Sequence, residues 1–353
     1  MRVVIVGFPF SGKSTLYSAI TGLPRENLRL GEENLAAVRI PEPRLDWLET
    51  LYSARKRTES TIEFVDLPGS QDGEAAKAGL EKHLPTLRQA DALLVCVRQF
   101  ESPSVPAYRD RIAPQEDLNL LRDEILLADF LICDTRVEKL EKAIGKPSKE
   151  RDAQKHELDL LRACRASLEN GEPLSRVLQT PEQEKQVRSF GFLTQKPLLV
   201  AVNVGEADVT AEPRVTDPHA YRVFNVCASI EAEIMQIEPS ERAAFMSEWG
   251  IQALARDRMI RACFDALGMI FFLTAGEEEV RAWPIPRGAT AVEAAGKIHS
   301  DLARGFIRAE TVAYDDLRAA GDMREAKARN KVRQEPKGYV VLDGDIMNIK
   351  FNV

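Results

Sequence analysis

The chain has 353 residues, 44% of them hydrophobic and 29% charged, with a formal net charge of -7. That length holds two or three domains and that much apolar material builds a core, which excludes a disordered tail protein, a collagen-like fibre and a disulfide-stapled mini-scaffold. The negative balance argues against non-specific coating of nucleic acid, which needs a positive surface overall or a concentrated basic face.

Residues 2–6 (R-V-V-I-V) form a short β-branched run ending at Gly7 and read as a buried parallel strand, and 13–21 then read as a helix. Further strands are expected at 61–65, 91–97, 198–202 and 222–227. Helical stretches lie between them, the alternation of an α/β domain. Between about 115 and 190 that alternation breaks. Leu118, Leu121, Ile125, Ala128, Ile132 and Thr135 recur at helical spacing as a narrow apolar seam. Gly145-Lys146-Pro147 interrupts, and a second amphipathic stretch with Leu158, Leu161 and Leu168 runs to Asn170-Gly171-Glu172-Pro173. Together they read as an antiparallel helical hairpin inserted into the α/β domain, the alternative being two surface helices packed on the sheet. From about 276 the pattern becomes α+β. Strands are expected at Phe271–Thr274 and Val280–Ile285, a helix at 290–303, and a terminal hairpin of Tyr339–Leu342 and Ile346–Phe351 about an Asp343-Gly344-Asp345 turn. The expected domains are therefore 1–114 with 191–275, 115–190 and 276–353.

No apolar run reaches the roughly 18–20 residues that cross a bilayer. Gly7 and Pro9 break the N-terminal run before it resembles a signal peptide, so a cytoplasmic protein is expected. The cysteines (Cys96, Cys133, Cys164, Cys227, Cys263) are far apart and read as buried thiols. No histidine falls at zinc-ligand spacing to any of them.

Chemistry concentrates at Gly7-Phe8-Pro9-Phe10-Ser11-Gly12-Lys13-Ser14-Thr15, a full G-x-x-x-x-G-K-[ST] match between a strand and a helix. Its glycines let successive N–H groups of Phe10, Ser11, Gly12, Lys13, Ser14 and Thr15 curl around phosphate oxygens. Lys13 adds charge at the β/γ-phosphates, and Ser14 offers its hydroxyl to Mg²⁺. Asp66-Leu67-Pro68-Gly69 closes the 61–65 run. Either it is a plain strand end, or Asp66 holds Mg²⁺ through water and the Gly69 N–H meets the γ-phosphate. Base recognition is expected from Asn203-Val204-Gly205-Glu206, where GTP-binding proteins carry N-K-x-D. Glu206 reaches further than aspartate, so strict guanine selectivity should be lost. Cys227-Ala228-Ser229 stands where a backbone loop closes over the base.

With these motifs the chain resembles the YchF/Ola-type members of the Obg-related P-loop proteins over nearly its full length. Matching runs include Ile40-Pro41-Glu42-Pro43-Arg44-Leu45, Thr61-Ile62-Glu63-Phe64-Val65-Asp66, Glu279-Val280-Arg281-Ala282-Trp283, Ala294-Ala295-Gly296-Lys297-Ile298-His299 and Arg304-Gly305-Phe306-Ile307-Arg308-Ala309-Glu310. The resemblance implies an α/β P-loop G domain with a parallel-rich sheet, an inserted helical coiled-coil domain and a C-terminal TGS domain of β-grasp fold. It also implies ATP preferred over GTP, slow Mg²⁺-dependent hydrolysis and association with ribosomes or RNA.

The departures from the family pattern gather at catalysis. Phe10 and Ser11 replace the asparagine and valine of N-V-G-K-S-T, an asparagine associated with a monovalent cation. Asn27–Leu35 holds no threonine to close over the metal, and Ser70 with Gln71 follows the D-x-x-G glycine. Lys13 and Gln71 are thus the catalytic candidates, and binding with weak turnover is expected. Arg318–Lys337 carries seven basic residues against three acidic ones, either a solvated face or a phosphate-tracking patch for RNA. Two functions follow: a ribosome-associated NTPase switch, or a hydrolysis-deficient nucleotide-binding adaptor docking to a ribosomal or protein partner.

Overall fold

The structure, a computed structural model, describes residues 1–29, 31–68, 80–145 and 150–352. Its strands are β1 (Arg2–Val6), β2 (Asn34–Arg39), β3 (Arg57–Thr58), β4 (Thr61–Asp66), β5 (Ala92–Arg98), β6 (Leu198–Asn203), β7 (Arg222–Val226), β8 (Met269–Ala275), β9 (Val280–Pro286), β10 (Phe306–Ala313), β11 (Arg333–Glu335) and β12 (Asp345–Phe351). The first helices are α1 (Lys13–Thr21), α2 (Arg44–Tyr52), α3 (Leu80–Gln89), α4 (Pro114–Ile144) and α5 (Arg151–Glu169). Two compact units result, 1–38 with 63–259 and 39–62 with 260–353.

The first unit is built on a sheet of order β2-β4-β1-β5-β6-β7. β1 pairs in parallel with β4 and β5, and β5, β6 and β7 continue in parallel. All five strands expected from apolar runs are present. Val3, Val4 and Ile5 have no exposure at all, as the all-apolar pattern of a strand covered on both faces requires. Parallel pairing brings the C-terminal ends of β1, β4, β5, β6 and β7 to one edge, where open α/β sheets place their ligands.

α4 runs for 31 residues, about 46 Å. Leu118, Leu121 and Ile125 join the core over the sheet, whereas Cys133, Val137 and Leu140 meet Leu158, Leu161, Cys164 and Leu168 of α5 in a separate core. One helix is thus shared by sheet and hairpin, and no boundary falls at 115. The expected seam holds only as far as Ile125. Beyond it Asp129, Cys133 and Val137 are buried while Thr135 is exposed, with Ala128 and Ile132 half-buried. The reason lies in Asp129, whose carboxylate accepts from the Leu193 N–H (3.0 Å), the Thr194 N–H (2.7 Å) and the Thr194 hydroxyl (2.8 Å). It fastens the chain on its return to β6, and the buried stripe rotates to include it.

The second unit holds a mixed sheet of order β11-β10-β12-β8-β9-β3. β8 and β9 form an antiparallel hairpin, β12 lies parallel to β8, and β10 lies antiparallel to β12. This is the β-grasp arrangement, first and last strands side by side at the centre. The unit begins ahead of 276, because β8 starts at Met269 and residues from Ile260 onward pack with it. It also takes in residues 39–62: β3 adds to the edge of β9. The Arg44 guanidinium bonds Glu42 twice (both 2.6 Å) and Asp343 twice (2.8 and 3.3 Å), and Asp343 accepts from the Phe271 N–H (2.9 Å).

Two expectations here are corrected. Tyr339–Leu342 does not pair with β12. Val340 bridges Thr290 instead, and Asp345 closes the turn by accepting from the Leu342 N–H and the Tyr339 hydroxyl. The 290–303 helix is two helices, Ala291–Ile298 and Ser300–Arg304. His299 between them is extended, and its Nδ1 accepts from the Asp301 N–H to cap the second.

Candidate nucleotide site

The P-loop leaves β1 at the sheet's C-terminal edge and leads into α1. Gly7 is needed for close approach, since a Cβ there would collide with the Cys96 carbonyl. Gly12 is needed twice over: its φ of 90° lies in the left-handed region, and a Cβ would strike the Asn203 Nδ2. Phe8 is buried and stacks on Tyr108 at 4.6 Å, anchoring one side of the loop. Phe10 points outward, 52% exposed, with a φ of 62°.

Lys13 folds back over the loop, donating to the carbonyls of Gly7 (2.8 Å) and Phe8 (3.3 Å). Burial pushes its ammonium below the usual lysine value, only partly opposed by Cys96 and Asp66. An ammonium whose hydrogen bonds among the described residues go to carbonyls is under-compensated and suits an incoming anion. Asp66 ends β4, beside Ile5 in register and 3% exposed. Burial pushes its carboxyl up, against the Ser14 hydrogen bond and the Lys13 charge. Its Oδ1 and the Ser11 Oγ are buried with no hydrogen-bond partner among the described residues. Ser14 and Asp66 are therefore together, with a spare carboxylate oxygen, as a hydrated divalent cation on a phosphate would require. Among the described residues no cluster of three or more His, Cys, Asp or Glu forms a protein cage for a metal. Thr15 is half-buried in the first turn of α1. Gly69 and Gln71 lie outside the described residues.

Asn203, at the end of β6, works inside the protein. Its Nδ2 donates to the Ser11 carbonyl (3.0 Å) and its Oδ1 accepts from the Ala228 N–H (3.1 Å), tying the P-loop to the 227–229 segment. The Ala228 amide is thereby occupied. Cys227 is buried with its Sγ 3.2 Å from the hydroxyl of Ser229, itself exposed. Glu206 is exposed at the head of a short turn, and Gly205 before it has open space around it. All five cysteines are buried and unpaired. Burial raises Cys96, whose Sγ lies 3.4 Å from the Ser11 carbonyl, to about 12, so it is inert as a nucleophile.

Two features escaped the sequence reading. Arg98, the last residue of β5, is buried beneath the loop and bonds four carbonyls. A single charge ending an otherwise apolar strand was its only signal. Glu33 accepts from the Thr86 hydroxyl (2.6 Å) and lies 3.8 Å from the His83 ring, joining the threonine-free segment to α3.

Comparison with known proteins agrees with this geometry. The family model "50S ribosome-binding GTPase" matches residues 2–128, and the YchF-GTPase_C model, described as "Protein of unknown function (DUF933)", matches 269–352. The chain is 39% identical to the "Ribosome-binding ATPase YchF" of Bacillus subtilis and 36% identical to that of Escherichia coli O157:H7, covering 99% of this chain and 98% of theirs. The structure of the Schizosaccharomyces pombe YchF GTPase is similar with a TM-score of 0.86 at 25% identity, over 99% of this chain and 97% of that one. With a P-loop seated on a parallel sheet, a second unit of β-grasp fold and full-length identity at this level, the chain belongs to the YchF family.

Proposed function

We propose that the protein is a Mg²⁺-dependent nucleoside triphosphatase that prefers ATP to GTP, turns over slowly and works at the ribosome. The observation that carries this is the phosphate loop: among the described residues the Lys13 ammonium bonds only carbonyls, beside a half-buried Ser14 and a buried Asp66 with an unpartnered carboxylate oxygen. Lys13 leaves the Gly7 and Phe8 carbonyls for β/γ-phosphate oxygens, a charge-assisted exchange. The Ser14 hydroxyl, and Asp66 through water, would hold Mg²⁺, which neutralises phosphate charge when bound.

ATP preference rests on Glu206. An exposed carboxylate one methylene longer than aspartate loses the paired contact that selects guanine, and a single acceptor for the adenine amine remains. Slow turnover rests on the missing threonine of 27–35 and on a D-x-x-G motif followed by Ser70, with Gln71 left to orient water. Ribosome association is supported by the names of the relatives and by Arg318, Arg324, Lys327 and Lys337. These are exposed and form no ion pair among the described residues, whereas Lys331 pairs Asp316 (2.9 Å) and Arg333 pairs Glu335 (3.1 Å). An RNA-tracking role requires binding that falls steeply with salt.

Paired calorimetric titrations with non-hydrolysable ATP and GTP analogues in Mg²⁺, then steady-state turnover with and without ribosomes, test the reading. Tighter ATP binding and ribosome-stimulated turnover sensitive to Gln71→Ala uphold it. Binding without turnover in either condition favours the adaptor, which the absent threonine also permits.

A further inference from the structure

Arg98 is a buried cation that no carboxylate answers among the described residues. It is 4% exposed, and its donors go to main-chain carbonyls: Nη1 to Pro106 (2.7 Å) and Phe10 (3.4 Å), Nη2 to Val105 (3.0 Å), Nε to Phe100 (3.1 Å). Its guanidinium carbon stands 4.3 Å from the centroid of the Phe100 ring, and that ring lies 3.8 Å from where a Cβ on Gly12 would sit. A charge taken out of water this way is poor value as a fold stabiliser, since an apolar side chain of the same shape would serve as well or better. Three of the carbonyls belong to the segment just after Arg98. The fourth is in the phosphate loop, 88 positions earlier.

That fourth carbonyl belongs to Phe10, an aromatic residue at a φ of 62° whose side chain is 52% exposed. An L-residue in the left-handed region costs about 1–2 kcal/mol, and a ring left in solvent buries too little to offset it. The Phe10 carbonyl and the Ser11 N–H share one rigid peptide plane. A donor gripping the carbonyl from behind fixes that plane, with the Ser11 N–H closing on the Phe8 carbonyl at 3.3 Å. Asn203 and Cys96 hold the next plane in the same way through the Ser11 carbonyl.

We propose that Arg98 is a positioning residue for the polyphosphate: from behind the loop it holds the Phe10 carbonyl, so that the left-handed turn at Phe10 is set before nucleotide arrives. The proposal rests on reading residues 7–15 as the polyphosphate site, and its test separates the two. Calorimetric affinity for Mg²⁺–ADP is measured on the full chain for Arg98→Gln and Arg98→Lys, each alone and combined with Phe10→Gly. Glycine adopts a positive φ without cost, so less is left for Arg98 to hold. Arg98→Gln is expected to weaken binding about tenfold, the equivalent of about 1.4 kcal/mol, and to accelerate amide exchange at Ser11 and Gly12 in the free protein. In the Phe10→Gly background the same change should cost less than about threefold, well under 1 kcal/mol. Equal losses in both backgrounds, as a merely structural role would give, or no loss in either, overturn the proposal. If Arg98→Gln does not fold, the Arg98→Lys pair decides on the same comparison, because lysine keeps the charge but reaches fewer carbonyls. A wild-type protein that binds no ADP would instead sink the reading of the loop itself.

Discussion

Three buried acids of the first unit and the acid pair around Arg44 in the second are held in opposite ways. In the first, Asp66, Asp129 and Glu231 are sunk to 3% exposure or less and meet hydroxyls and backbone N–H groups, with no cation at ion-pair distance among the described residues. Burial pushes all three carboxyls up, against the hydrogen bonds that each accepts. In the second, the buried Glu42 and the more exposed Asp343 share the Arg44 guanidinium. There burial tends to raise Asp343, but the Arg44 and Phe271 hydrogen bonds outweigh it and hold its carboxyl below the usual value. The first unit carries these three acids without a cation, whereas the second uses its pair to hold itself together. Of the three, Asp66 alone keeps a buried oxygen without a partner among the described residues, which is what a ligand site looks like before the ligand comes.

The comparison breaks most visibly at Arg44. Arg44→Met takes the close cation from Glu42, 2% exposed and left with only Arg261 at 3.5 Å, and from the more exposed Asp343, and should cost about 3 kcal/mol, read as a lowered urea midpoint for the second unit. Next comes Gly12→Ala, which forces a Cβ into Asn203 at a φ of 90°. About 2 kcal/mol of strain should appear as weaker nucleotide binding, with little change in the second unit. Asp66→Asn sharpens the contrast by reversing sign. Removing a buried charge without a cation should stabilise the nucleotide-free protein by about 1 kcal/mol while abolishing the Mg²⁺ dependence of nucleotide binding in calorimetry.

The pH dependence follows with opposite signs. A raised carboxyl such as Asp66 costs stability above its native pKa, and that cost is relieved as pH falls through it toward 3.8. The depressed Asp343 contributes stability above 3.8 that is lost as pH falls through its lowered native value. Hydrogen exchange across an acid series should therefore show the second unit opening first, and Asp343→Asn should flatten its slope. The smallest effect is expected at Glu206→Asp. It should shift the ratio of GTP to ATP affinity toward GTP severalfold, a change of about 1 kcal/mol, with phosphate-loop contacts unchanged.

Most of the first sheet was legible because parallel strands covered on both faces are apolar throughout, and the phosphate loop because its glycines are demanded by geometry. β2 was missed: N-L-A-A-V-R has a single β-branched residue and no polar–apolar alternation, and it stands at the sheet's edge, mostly exposed. The drift of the α4 seam was invisible because it follows Asp129, whose partners lie more than 60 positions away. Tyr339–Leu342 looked like a strand because it flanks the Asp343-Gly344-Asp345 turn opposite Ile346–Phe351, yet Val340 and Leu342 turn out to solvent and Asp345 does the closing. In the site, Lys13, Ser14 and Asp66 could be read from types and spacing. Arg98 could not, because carbonyls carry no side-chain signature. Nor could the inward use of Asn203, because N-x-x-E specifies the residue and not the direction its amide faces.

The chain quits the first unit after Val38, contributes α2 and β3 to the second, and re-enters at Glu63. No single scission therefore yields two intact halves. A fragment stopping near Met259 would strand Leu45 and Leu48, both wholly buried, with nothing to cover them. One beginning near Met269 would lack both its edge strand and the guanidinium that neutralises Asp343. Anyone dissecting this molecule by truncation should graft 39–62 onto the C-terminal piece, or expect both pieces to aggregate.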